Sequence, residues 1–175
     1  MTEHRAIAEH PLVAILTGSP NDLPVVRKAC DTLDALGVPW DLRVLSAHRT
    51  PDAVPAYVRR AEEAGVEVFV ACAGLAAHLG GVVAGHTLRP VVGVPLSGGA
   101  LRGFDSLLST VQMPPGVPVA TVGVDNARNA ALLAAQILAV RYPALRERLG
   151  RLREEARSRY DEPDPSVPPR DRGED

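Results

Sequence analysis

Five short apolar runs separated by helical patterns constrain this chain more than any other feature. The runs are mostly apolar instead of cleanly alternating, which is typical of strands buried on both faces of a parallel sheet. The segments between them place apolar residues three and four apart, as amphipathic helices do. The runs lie at residues 12–17, 40–45, 66–72, 90–95 and 117–124. This alternation predicts a single doubly wound, three-layer α/β/α domain with a five-stranded parallel sheet.

The predicted strand order is the flavodoxin-like order 2-1-3-4-5, with a topological switch point between the first and third strands. We expect Thr50 to cap the second helix, and the third helix to span residues 75–84. The predicted organisation is a flexible leader at 1–10, the α/β domain at 11–160 and a Pro-rich, charged tail at 161–175. The tail has no hydrophobic periodicity, so we expect it to be extended or disordered.

Composition narrows the class of protein. The chain has 175 residues, of which 46% are hydrophobic, enough for one core. A formal net charge of −2 argues against a nucleic-acid binder that works by bulk charge. No apolar run approaches the ~20 residues of a membrane span. The two cysteines cannot build a disulfide framework or a four-thiolate zinc site, and a reducing, cytoplasmic compartment is predicted.

Polar and small residues follow four of the predicted strands at the point where each strand ends. In a parallel sheet these carboxyl ends share one edge, where ligands bind. The four segments are residues 18–22 (GSPND), 46–51 (SAHRTP), 73–81 (AGLAAHLGG) and 97–99 (SGG). Their convergence on one edge is the main functional signal in the sequence.

Each residue of this edge has a structural and a functional interpretation. Gly18 and Ser19 form either a capped turn or an anion cradle at a helix N-terminus. Asp22 either complements the helix dipole or accepts bonds from ribose hydroxyls. His48 is a side chain suited to proton transfer near neutral pH. The planar, forked guanidinium of Arg49 is suited to binding two oxygens of a phosphate. His78, in an apolar stretch, is interpreted as a packed, hydrogen-bonded histidine.

Several common α/β functions lack their motifs here. The first loop does not match the GxGxxG of dinucleotide-binding domains, and no P-loop motif is present. A phosphoacceptor receiver domain would need an acid after the third strand. No His, Cys, Asp or Glu residues have convincing metal-ligand spacing.

Six motifs, in order and spacing, resemble the PurE-type enzymes of purine biosynthesis, the N5-carboxyaminoimidazole ribonucleotide (N5-CAIR) mutases. The resemblance covers about residues 11–150. The motifs are TGSxxD at 17–22, SAHRTP at 46–51, AGxAAHL at 73–79, PVVGVP at 90–95, DSL with VQMP at 105–114, and NAALLA at 129–134.

The resemblance implies a cofactor-free isomerase assembled as a homo-octamer. Its reaction moves a carboxyl group from N5 to C4 of the aminoimidazole, through CO₂ and aminoimidazole ribonucleotide (AIR). Carried over to this chain, His48 is the general acid/base, Ser19, Ser46 and Arg49 bind the phosphate, and Asp22 binds the ribose. The remaining substrate-binding positions are Asn21, Ala73, Gly74, Leu75, Ala76, His78 and Leu79.

Two alternatives remain beside the mutase. One branch of the family carboxylates AIR directly with CO₂; Arg49 and His78 favour the mutase branch. The chain also departs from the usual pattern at Pro20, Asn21, Leu75 and Gly80, and Leu75 stands where a glycine is usual. The second alternative is therefore a divergent paralogue that binds a ribonucleotide without turning it over.

Overall fold

A computed structural model describes residues 7–158 and residue 160. The predicted leader therefore lies partly outside the described residues, and the predicted tail at 161–175 lies entirely outside them. The strands are β1 (Val13–Thr17), β2 (Trp40–Val44), β3 (Val68–Gly74), β4 (Val91–Leu96) and β5 (Ala120–Thr121). The helices are α1 (Leu23–Ala35), α2 (Ala53–Glu63), α3 (Leu79–Ala84), α4 (Phe104–Val111), α5 (Ala127–Leu138) and α6 (Pro143–Ser158).

The five strands form one parallel sheet in the order β2-β1-β3-β4-β5, which confirms the predicted topology. The central strands β1 and β4 are buried along their whole length, as their continuous apolar runs predict. Strand β2 lies at an edge, and its residues are half-buried or exposed. Register pairs Thr17 with both Val44 and Cys72, so the first three carboxyl ends lie side by side.

Two hydrophobic clusters sandwich the sheet, because successive side chains of a strand point to opposite faces. Val13 and Ile15 pack with α1, α5 and α6 on one face. Ala14 and Leu16 pack with α2 and α3 on the other. Helix α4 approaches β4 closely: a Cβ on Gly93 would stand 2.4 Å from the Cγ2 atom of Thr110. The three-layer architecture follows from these two clusters.

Three local predictions differ from the structure. Helix α3 begins at Leu79 instead of residue 75, because residues 75–78 form the loop that borders the candidate site. Strand β5 keeps only Ala120–Thr121 of the predicted 117–124. Thr50 does not cap α2; its hydroxyl donates to the Ser46 carbonyl and accepts from the Ser46 amide. The hydroxyl therefore closes the turn before the helix.

Helix α5 is apolar almost all round, and the fold covers most of that surface itself. Ala130, Ala131, Ala134 and Ala135 are fully buried, and the helix packs against α1, α6 and the sheet. The apolar character of α5 is therefore explained largely within one chain and does not by itself require a second chain to cover it. None of the helices in the described part of the chain is long and apolar enough to span a membrane.

Both cysteines are buried free thiols, and we expect neither to react with Ellman's reagent in the native protein at pH 8. Burial raises the pKa of Cys30 to about 11. Burial also raises the pKa of Cys72, and the charge of Asp22 adds to that shift. Because the thiolate is the reacting species, labelling should proceed only on unfolding, when both thiols react. Equal labelling rates in native and denatured protein would contradict this.

The Cys30 shift also predicts a pH dependence of stability. Above pH 9 the unfolded chain loses the Cys30 proton, whereas the folded chain keeps it until about pH 11. The folded state binds more protons in this window, so its stability falls as the pH rises from 9 to 11.

Candidate active site

A cavity of about 540 Å³ lies at the carboxyl edge of the sheet, where the order β2-β1-β3 places the switch point. This volume suits a small-molecule ligand. The cavity brings together eleven of the twelve residues predicted for the site; His78 is the exception. The lining residues are Gly18, Ser19, Asn21, Asp22, Ser46, Ala47, His48, Arg49, Ala73, Gly74, Leu75, Ala76, Leu79, Ser97, Gly98 and Gly99.

The loop after β1 is a short 3₁₀ turn over Pro20–Asp22. Ser19 caps the turn, and its Oγ atom accepts a bond from the Asn21 amide at 3.3 Å. The Thr17 hydroxyl donates to a carboxylate oxygen of Asp22 at 3.1 Å. Thr17 is buried, so it fixes the half-buried Asp22 at the cavity wall. The sequence interpretation overlooked Thr17 as a partner, although the TGSxxD motif contains it.

The loop after β2 is tied to the loop after β1 by Arg49. The Nη2 atom of Arg49 donates to the Gly18 carbonyl at 2.7 Å. The Ser46 Oγ atom accepts bonds from the Arg49 amide at 3.1 Å and from Arg49 Nε at 3.4 Å. These bonds hold an exposed guanidinium beside the start of the first loop. The arrangement can present positive charge and a serine hydroxyl to an anion.

His48 and His78 contact each other across the cavity rim. Nε2 of His48 lies 2.8 Å from Nδ1 of His78, and the rings meet edge to face. At this distance one nitrogen donates and the other accepts, so the pair shares one proton. Both residues are exposed. The interpretation of His78 as a packed histidine is therefore wrong, whereas its hydrogen bonding is confirmed.

The loops after β3 and β4 form the other end of the cavity, and their lining is small or apolar. Leu75 occupies the left-handed region at φ +55°. The Ser97 amide donates to Oδ1 of Asp125 at 2.8 Å, which anchors the fourth loop. Asp125 itself has φ +56°. No sequence signal pointed to Asp125, since it is separated from Ser97 by 28 residues.

The cavity thus has a polar end and an apolar end. Arg49, Ser46, Ser19 and Asp22 make the polar end; residues 73–76 and 97–99, of which only Ser97 has a polar side chain, make the apolar end. A larger groove of about 1050 Å³ lies at the opposite edge, beside Pro90 and Val91 where β4 begins. Within the described residues, no three His, Cys, Asp or Glu side chains are grouped to hold a metal ion.

Comparison with known proteins adds independent information. A family model described as AIR carboxylase matches residues 12–159. The N5-carboxyaminoimidazole ribonucleotide mutase of Pyrococcus horikoshii is 51% identical over 155 residues, covering 89% of this chain and 88% of that protein. The protein of the same name from Bacillus subtilis is 52% identical over 146 residues, covering 82% and 90%.

A solved structure of another protein has the same fold as this chain. The crystal structure of Treponema denticola PurE superposes with a TM-score of 0.79 at 27% sequence identity. The superposition covers 86% of this chain and 94% of that one. The likeness therefore extends across most of both chains.

Proposed function

The chain belongs to the AIR carboxylase family, and on this premise we propose that it is an N5-carboxyaminoimidazole ribonucleotide mutase of purine biosynthesis. The observation that carries the proposal is the position of His48 on the cavity wall, between an anion-binding end and an end of small residues. One ribonucleotide would span both ends, with its phosphate at Arg49 and its heterocycle beside residues 73–76. This placement supports an isomerase that acts on one small molecule.

The polar end supports binding of the ribose phosphate. The fork of Arg49 can reach phosphate oxygens while Nη2 stays on Gly18. Ser46 Oγ accepts both bonds from Arg49, which leaves its own hydrogen to donate. Asp22 is held by Thr17 and can accept bonds from ribose hydroxyls. Asn21 and Ser19 complete this end of the site.

The reaction we propose needs one proton moved twice and no cofactor. As the N5–carboxyl bond breaks, its electron pair stays on N5, which takes a proton from His48, and CO₂ is released. C4 of the resulting AIR then attacks the carbon of CO₂. Loss of the C4 proton to His48 gives 4-carboxy-5-aminoimidazole ribonucleotide (CAIR) and restores the protonated histidine. His78, bonded to His48, orients the imidazole.

A turnover assay tests the proposal against its alternatives. Conversion of N5-CAIR to CAIR without added bicarbonate supports the mutase. Turnover of AIR only with high bicarbonate would instead indicate a direct carboxylase. Binding of AIR in a titration, with turnover in neither assay, would indicate a paralogue that binds without catalysis.

The two free, buried thiols fit the cytoplasmic location that we propose for this enzyme.

We expect the protein to be a homo-oligomer, an octamer by family resemblance, in solution. Phe104, Leu108 and Val111 follow one another at helical spacing along α4 and are 61%, 40% and 50% exposed. Leu101, in the turn before the helix, is 60% exposed and extends this apolar surface. An apolar stripe of this kind on a folded protein marks an interaction surface. Light scattering should give a mass several times the 18.5 kDa of one chain. A clean monomer at micromolar concentration would contradict the octamer.

A further inference from the structure

Leu75 combines two unfavourable features in the cavity wall: a strained backbone conformation and an apolar side chain exposed to water. Its φ of +55° lies in the left-handed region, which a side chain with a Cβ disfavours. Its side chain is 56% exposed, although leucine gains by leaving water. A strained conformation persists only where its surroundings impose it, and such residues cluster at functional sites.

The Leu75 side chain reaches from the loop after β3 to the loop after β4. A Cβ built on Gly99 would stand 2.9 Å from Leu75 Cδ2, and one built on Gly98 would stand 3.9 Å from it. Gly99 itself has φ +60°. The two glycines thus leave the space that the leucine occupies. The isobutyl group bridges two loops that otherwise come from separate strands.

This bridge lies at the apolar end of the cavity, between the loops after β3 and β4, whereas Arg49 and Ser46 lie on the loop after β2. On the proposed function, CO₂ is released there and must stay until C4 attacks it. CO₂ carries no net charge or dipole and offers poor hydrogen-bond acceptors, so polar groups hold it weakly. An apolar side chain across the gap between the loops hinders its escape and keeps water out.

We propose that Leu75 is a retaining residue, whose side chain closes the wall between the 73–76 and 97–99 loops and keeps released CO₂ beside C4. This inference rests on the proposed mutase function. It predicts that loss of the side chain uncouples the two half-reactions. Decarboxylation would continue, but a larger share of the product would leave as AIR and CO₂ instead of CAIR.

Two variants distinguish the effect of losing the Leu75 side chain from the effect of its backbone strain. Leu75→Ala keeps a Cβ at a positive φ and loses the bridge. Leu75→Gly loses the bridge and also removes the strain, because glycine adopts this conformation readily. We therefore expect Leu75→Gly to melt at a higher temperature than Leu75→Ala. Leu88→Ala is the matched control, since Leu88 is fully exposed and does not line the cavity.

The experiment measures AIR and CAIR released from N5-CAIR without added bicarbonate, corrected for the reaction without enzyme. We expect the AIR:CAIR ratio to rise severalfold in both Leu75 variants and to stay at the wild-type value in Leu88→Ala. Added bicarbonate should restore CAIR formation. An unchanged ratio in both variants, or a rise only in the less stable one, would overturn the retaining role. Failure of the wild type to form CAIR would instead overturn the mutase function, and the retaining role with it.

Discussion

His48→Asn should lower kcat by about 10²–10⁴-fold and leave ribonucleotide binding largely intact. His48 lines the cavity wall and is proposed to serve both proton transfers, so its loss affects both half-reactions. Asparagine cannot take up or release a proton near neutral pH. Its short side chain also does not reach the Nε2 position that contacts His78. Steady-state kinetics together with a titration of AIR would measure the two effects separately.

The matched control for this variant is His86→Asn. His86 is also an exposed histidine, but it lies beside the groove at the opposite edge of the sheet. Its kcat should equal that of the wild type. A near-wild-type kcat in His48→Asn would remove His48 from the mechanism and leave the carboxylate of Asp22 as the lining group to test for proton transfer.

Arg49→Lys should raise KM by about 10- to 150-fold and change kcat much less. One lysine ammonium cannot hold the Gly18 carbonyl and Ser46 Oγ while also presenting a planar fork to a phosphate. Hydrogen bonds to charged groups contribute about 1.5–3 kcal/mol each, which corresponds to that range of affinity. The measurement is KM for N5-CAIR at fixed ionic strength, since salt screens an exposed charge.

Arg59→Lys provides the control, because Arg59 is an exposed arginine on α2 that does not line the cavity. It should leave KM unchanged. An unchanged KM in Arg49→Lys would mean that Arg49 only fastens the second loop to the first. The phosphate site would then rest on Ser19 and the backbone of the first loop alone.

The pattern of apolar residues in the sequence was sufficient to predict the architecture of the domain. Continuous apolar runs fall on the buried strands, and the order 2-1-3-4-5 was predicted correctly. The pattern also placed the residues of four loops at one edge, because all carboxyl ends of a parallel sheet share that edge. Residues 97–99 were predicted to lie on this edge but were not assigned to the site. The structure shows that Ser97, Gly98 and Gly99 line the cavity.

The sequence was less informative about where elements begin and end. The apolar, small-residue stretch from 75 onwards is compatible with helix, yet Leu75 takes a left-handed conformation and α3 starts four residues later. Helix propensity cannot anticipate this, since it describes the local segment and not the contact of Leu75 with the loop after β4. The same holds for Thr50, whose hydroxyl bonds back to Ser46 instead of capping α2.

By itself, then, the sequence determined the sheet, its order and the set of loops that meet at its carboxyl edge, because hydrophobic periodicity is local and right-handed crossovers leave few topologies for alternating strands and helices. Only the tertiary structure decided which side chains touch. His48 and His78 are 30 residues apart along the chain, and Asp125, which anchors Ser97, is 28 residues from it. Leu75 reaches Gly99 only because its backbone turns the left-handed way. Such contacts depend on the dihedral angles of several loops at once, which no pattern in one segment encodes.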